Sequence, residues 1–311
     1  MYNRFLEVAG EGKNEWWRYL LGSFIVFLGY FFGSIPFAVL AAWGTQQGYI
    51  ENGDPDVGRK VMDPSVMHLP PYVILLLQIG IFVFAMLALW AVVRFLHQRK
   101  FLSIVTSRSR LHVRRIGFAF ITYIGLMTAL LTIQMNADPT NYETIFRLEP
   151  FLVTLAIGLF LLPVQTWWEE FFFRGYLLQG LGLAMRNPLG PLLITSLVFG
   201  LMHMSNTEAQ TYGMALMLPQ YILPGLMLGL LTVLDEGQEL AMGAHWANNL
   251  FLICVVTNSK FSIQAPAIYA SRKFDPITEL WTSAVLWLIF LGIMWATYKW
   301  DPKRLYKSEK R

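Results

Sequence analysis

Two carboxylates and a guanidinium stand inside an unbroken apolar and aromatic run, Trp167-Trp168-Glu169-Glu170-Phe171-Phe172-Phe173-Arg174. A charge at membrane depth is costly to bury, so ionisable groups there default to a functional role. On a helix, Glu170 and Arg174 are four residues apart and can pair on one face. Glu169 lies about 100° around the helix from Glu170. It is expected to point elsewhere, without a local partner, and to be free for chemistry. Two other apolar segments carry histidine, Phe199-Gly200-Leu201-Met202-His203 and His245-Trp246-Ala247-Asn248-Asn249. Four-residue spacing puts Phe199 beside His203 and His245 beside Asn249.

A carboxylate with a histidine can deprotonate a water. A second histidine and an amide NH₂ can donate hydrogen bonds to a developing oxyanion. Together they suit peptide hydrolysis without a covalent intermediate. Glu169, His203 and His245 also make a ligand set for a divalent metal such as zinc. The sequence contains no His-Glu-x-x-His, no Gly-x-Ser-x-Gly elbow and no phosphate-binding Gly-x₄-Gly-Lys loop.

Singly, each residue has a plainer role. A lone membrane histidine or asparagine is often an interhelical hydrogen-bond partner, and Gly200 and Gly243 would allow helices to approach closely. The Glu170–Arg174 pair can simply hold shape, and Phe171, Phe172 and Phe173 can be lipid-facing or core packing. The combination within neighbouring spans is what points to chemistry. Two other functions use the same residues. One is a non-catalytic membrane scaffold, which would keep its phenotype in a folded Glu169→Ala variant. The other is a transporter relaying protons through Glu169, Arg174 and the histidines; the lack of a visible inverted repeat counts against it.

These residues need a membrane scaffold to position them. The chain has 311 residues, 55% hydrophobic and only 14% charged, with mean hydropathy +0.47, where soluble domains carry about 25% charged residues. Stretches near the roughly 20 residues that cross a bilayer fall at 19–43, 72–96, 115–135, 150–168, 189–203, 213–234, 240–257 and 280–299. The expectation is an all-α polytopic membrane protein of about eight transmembrane helices. Three regions organise it: an N-terminal membrane region 1–149, a core 150–257 holding the candidate site, and a last span with basic tail, 258–311. The stretch from Glu149 to Met185 is too long for one simple crossing and predicts a long tilted helix, or one broken near Gly175 and Gly180. Pro219 and Pro224 should kink the sixth span.

Lys and Arg cluster in the connection 94–115 and in the tail, which includes Lys307, Lys310 and Arg311, whereas loop 44–71 is mainly acidic. This bias predicts both termini on the cytoplasmic side. With no organelle signal, a bacterial cytoplasmic membrane is the expected home. Basic residues at membrane ends suit orientation and contact with membrane lipids, and argue against nucleic acid. Simple counting puts Glu169 near the cytoplasmic side and His203 near the outer side. The fifth span, about 21 Å long at 1.5 Å per residue, keeps His203 inside the bilayer. His68, His97 and His112 fall in loops or at span ends and are expected to be less constrained. Cys254, the single cysteine, excludes a disulfide framework and reads as a small buried hydrophobe.

At the three polar segments the sequence resembles the CAAX prenyl protease 2 type, the CPBP or Abi family of intramembrane proteases. That family is marked by Glu-Glu-x-x-x-Arg, Phe-x-x-x-His and His-x-x-x-Asn or Asp on successive helices. Here those motifs read Glu169 to Arg174, Phe199 to His203 and His245 to Asn249. The resemblance implies that Glu169 is the general base with His203 beside it. His245 and Asn249 would hold the oxyanion, and Glu170 and Arg174 would support the site. It implies either a metalloprotease or a metal-independent glutamate protease, with no other cofactor. The implied substrate is a hydrophobic or lipidated peptide or protein at the membrane, prenylated and CAAX-like or bacteriocin-type, and the non-catalytic alternative that the resemblance implies is a bacteriocin-immunity protein.

Overall fold

The computed structural model describes residues 3–258, 260–262 and 264–305, so Lys307, Lys310 and Arg311 lie outside the described residues. Eight apolar helices occupy the expected positions. They are α1 (Trp16–Gln46), α2 (Pro71–Leu96), α3 (Val113–Ala137), α4 (Leu148–Met185), α5 (Leu189–Met202) and α6 (Met214–Asp235), then α7 (Glu239–Cys254) and α8 (Pro276–Tyr298). The protein is a polytopic, multi-pass all-α membrane protein.

Among the described residues six helices, all but α5 and α7, are long and apolar enough to cross a membrane. Helix α5 has 14 residues and α7 has 16. Helix α7 packs against α3, α4 and α6 and buries most of its length. A helix enclosed by protein rather than lipid need not match the bilayer thickness. Glycine permits the closest of these contacts. A Cβ on Gly243 would lie 2.2 Å from the carbonyl oxygen of Ile116 on α3, and one on Gly200 would lie 2.7 Å from Ile222 on α6. At Gly243 the missing side chain lets two backbones meet, and at Gly200 it makes room for the Ile222 side chain.

Of the two readings of α4, the single long helix holds, since the chain is helical through Gly175 and Gly180. Its irregularities lie elsewhere. Regular α structure ends at Phe160 and restarts at Leu162, with Pro163 in the first turn. Further on, Glu170–Leu177 widens to i→i+5 hydrogen bonding, a geometry frequent at functional sites. Phe171, Phe172 and Phe173 are buried here and pack as core rather than facing lipid. Trp168 stacks on Phe172 with ring centroids 5.4 Å apart.

The two ends of the bundle differ in chemistry. One gathers the N-terminal segment, the 97–115 connection, the α6–α7 turn and the segment after α8. There Arg108 pairs with Asp235 and Glu239, each at 3.1 Å, and Trp300 Nε1 donates to Asp235 at 2.9 Å. His97, expected to be loosely held, is fully buried at this end. Its Nδ1 donates to the Lys13 carbonyl at 2.7 Å, and its Nε2 lies 2.9 Å from the Tyr176 hydroxyl. The opposite end carries a small sheet that the sequence reading did not anticipate. Its strands are β1 (Tyr142–Thr144), β2 (Val256–Thr257) and β3 (Tyr269–Ser271), in the order β1-β3-β2. Tyr142 faces Ser271 in an antiparallel pair, and Val256 faces Tyr269 in a parallel one.

Candidate active site

Helices α4, α5 and α7 bring Glu169, His203 and His245 together. Nε2 of His245 lies 3.7 Å from Glu169 Oε2, and Nε2 of His203 lies 3.9 Å from the same oxygen. The depth conflict posed by simple counting disappears because α4 continues well past Glu169. The residue sits mid-helix, level with the C-terminal end of the short α5.

Each imidazole is oriented through its other nitrogen. Nδ1 of His203 lies 2.7 Å from the Phe199 carbonyl oxygen. A carbonyl only accepts, so Nδ1 carries the proton, and Nε2 of the neutral ring is a bare acceptor aimed at Glu169. The ring is also sandwiched, with Phe199 at 4.4 Å and Tyr221 stacked at 5.0 Å. Nδ1 of His245 lies 2.7 Å from Glu170 Oε1, which sets its tautomer in the same sense. Glu170 also takes Arg174 at 3.0 Å, the pair anticipated from their spacing. Arg174 donates further to the Gly225 carbonyl at 3.3 Å, and its guanidinium lies 4.2 Å from the Phe199 ring centroid.

Two expectations about Glu169 are corrected. It does have a local partner, because Gln165 Nε2 donates to its Oε1 at 2.9 Å. Nor do the paired carboxylates diverge, since both approach the same imidazole, Glu170 at Nδ1 and Glu169 at Nε2. Glu169 Oε2 is buried and has no hydrogen-bond partner. Asn249 lines the same cavity of about 700 Å³ as Glu169, His203 and His245. Its Oδ1 accepts from Asn248 at 3.0 Å, and it makes no direct bond to the other three.

Sequence reasoning missed Gln165, although its four-residue offset from Glu169 is itself a signal. It also missed a lock over the cavity. The Glu208 carboxylate accepts from Tyr221 at 2.8 Å and from the amide and hydroxyl of Ser262 at 2.9 and 2.8 Å. These partners come from distant parts of the chain, and no local spacing announces them.

The zinc expectation for Glu169, His203 and His245 finds no support. Among the described residues no group of three His, Cys, Asp or Glu has an arrangement that could hold a metal ion. Tetrahedral zinc with bonds of about 2.0–2.1 Å brings its ligands to roughly 3.3–3.4 Å of one another. The separations of 3.7 and 3.9 Å from Glu169 Oε2 are wider.

Comparison with known proteins agrees with this geometry. Residues 150–251 match the family described as type II CAAX prenyl endopeptidase Rce1-like, a range that contains all three motifs. The chain is also 34% identical over 301 residues to the uncharacterized protein YyaK of Bacillus subtilis (strain 168), covering 94% of this chain and 96% of that protein. No solved structure matches it. With its polar motifs converging inside a helical membrane bundle, the chain belongs to the Rce1-like family of CAAX-type intramembrane proteases.

Proposed function

We propose that this protein is an intramembrane endopeptidase that hydrolyses a peptide bond with a water activated by Glu169. One observation carries the reading. A buried carboxylate oxygen without a hydrogen-bond partner is faced by two imidazole Nε2 atoms at 3.7 and 3.9 Å, each ring fixed through its Nδ1. Glu169 Oε2 and the bare Nε2 of His203 are acceptors directed at one another, and they repel unless a proton donor lies between them. A water supplies two O–H donors, and its lone pairs then point away from the acceptors, toward a substrate carbonyl.

In the proposed step Glu169 Oε2 takes a proton as the water oxygen bonds to the carbonyl carbon. The carbonyl π electrons move to oxygen. His245, when doubly protonated, and the Asn249 NH₂ are the donors available to that oxyanion. Glu170 is the counter-charge for the His245 ring. Collapse of the tetrahedral species breaks the C–N bond, and Glu169 returns its proton to the leaving nitrogen. The products are a carboxylic acid, which ionises, and an amine. The substrate is a hydrophobic or lipidated peptide segment, matched to a cavity lined by Tyr30, Phe82, Met127, Leu286 and Trp287.

The test is hydrolysis of membrane-inserted peptides by the purified protein in lipid vesicles. Glu169→Gln is expected to lower the rate by at least about 10²-fold, the low end for a general base, while the melting temperature stays near that of the parent. A variant that keeps the parent rate would remove the proposal.

A further inference from the structure

The cavity belongs to one end of the bundle. Helices α1, α3 and α7 reach it through Phe37, Met127 and Asn249 in their C-terminal halves, whereas α2, α6 and α8 reach it through Gln78, Tyr221 and Thr282 in their N-terminal halves. These halves all lie toward the sheet. Loop residues Met62, Ser205 and Phe261 from the same end complete the lining. No lining residue comes from segments 3–18, 94–115, 186 or 299–305 at the other end.

Charge divides the ends sharply. Those other-end segments hold fourteen Lys and Arg, whereas the sheet end has six: Arg59, Lys60, Arg147, Lys260, Arg272 and Lys273. Positive charge flanking spans stays on the cytoplasmic side. The charges that line the cavity are likewise one-sided. Glu169, Glu208 and Glu279 contribute carboxylates, and no Lys or Arg lines it. A substrate carboxylate brought there would be desolvated opposite like charge, with no Lys or Arg to pair it.

From these two observations we infer that the cavity opens on the outer face of the membrane. Its substrate is an apolar segment cut at an internal bond, with neutral or cationic flanks. A C-terminal tripeptide bearing a free carboxylate is disfavoured. The substrate half of this inference rests on the protease reading above; the orientation half does not.

Two measurements test it. In a Cys254→Ser background, exposed positions at the two ends are converted singly to cysteine, Glu51→Cys at the sheet end and Ser109→Cys at the basic end. Intact bacterial cells producing each variant are treated with a membrane-impermeant maleimide. Labelling of Glu51→Cys in intact cells, and of Ser109→Cys only after lysis, is expected; the reverse pattern overturns the orientation. For the substrate, the purified full chain is given a quenched leucine- and alanine-rich peptide ending in an amide or in a free acid. The amide is expected to be cut about tenfold faster, the scale of one like charge at roughly 10 Å in an effective dielectric of about 20. Equal or faster cutting of the free acid overturns the substrate half. Cleavage of neither peptide, with Glu169→Gln no different from the parent, removes the protease reading and the substrate half with it. The labelling result still decides the orientation.

Discussion

Glu170→Gln separates the catalytic consequences of the buried ion pair from its structural ones. The Glu170 carboxylate makes two charge-assisted contacts, to His245 Nδ1 at 2.7 Å and to Arg174 at 3.0 Å. A carboxamide can still accept from Nδ1 but loses the charge that faces the ring. Hydrogen bonds to charged groups contribute about 1.5–3 kcal/mol, which converts to roughly 10- to 150-fold in rate. We therefore expect kcat to fall by about that factor with KM nearly unchanged, since the contact acts on charge that develops during reaction. The same substitution leaves Arg174 buried without its counter-ion, a loss of about 3–5 kcal/mol in stability. The double variant Glu170→Gln/Arg174→Met removes the orphaned charge and is expected to regain most of that stability while kcat stays low. Thermal melting and single-turnover peptide cleavage in the same vesicles read the two quantities separately. If the double variant regains activity along with stability, Glu170 only holds the fold together, and the argued link to His245 is refuted.

Gln165→Ala strips Glu169 Oε1 of its donor and is expected to lower kcat by about tenfold, the scale of one hydrogen bond to a charged acceptor, without changing the melting temperature by more than a few degrees. Dialysis of the purified protein against a chelator is expected to leave the cleavage rate within about twofold, because a water activated by Glu169 needs no metal at this step; a loss restored by zinc would contradict the mechanism. Gly243→Ala forces a Cβ to within 2.2 Å of the Ile116 carbonyl, so α7 and α3 must part, at a cost of about 1–3 kcal/mol read from thermal melting. Burial pushes the His97 imidazole from 6.5 down to about 4, against the opposing bond to the Lys13 carbonyl and aided by the charges of Arg99 and Arg18. The folded ring stays neutral at pH values where the unfolded chain protonates, so stability is lost as pH falls from about 6.5 through about 4. His97→Gln is expected to flatten that limb in melting scans.

The sequence carried the helical frame because apolar stretches of span length have few other uses. It also carried Glu170–Arg174 and Phe199–His203, since four-residue offsets become contacts on any helix. What it lacked follows from the range of each interaction. The short α5 and α7 look like spans by composition, and only their neighbours reveal that α7 is wrapped in protein. Arg108 with Asp235, and Glu208 with Ser262, join residues far apart in the chain, where no periodicity operates. The sheet forms from three very short strands, and only β1 and β3 against each other satisfy an antiparallel ladder. His97 reads as weakly constrained at a span end because its partners, the Lys13 carbonyl and Tyr176, come from a terminal segment and a distant helix.

The two neighbouring carboxylates show how local geometry and long-range partners together assign different tasks. On a regular helix they would diverge, yet both meet His245, at the start of the stretch where α4 widens. Glu170 faces Arg174 and an N–H of His245, so its charge is compensated by groups that do not move. Both carboxylates keep a buried Oε2 without a hydrogen-bond partner, but Glu169 receives only a neutral amide at Oε1 where Glu170 receives a guanidinium, and Glu169 lines the cavity. A base needs a carboxylate whose charge no cation neutralises, and a positioning group is held by one. Exchanging these surroundings should therefore exchange the roles. Placing a cation within reach of Glu169 Oε2, as Asn249→Lys would do from the same cavity, is expected to quench proton uptake even with every original carboxylate and imidazole present. Full activity in that variant, with the new amine shown by labelling to lie in the cavity, would mean that the exposed charge of Glu169 is not what activates the water.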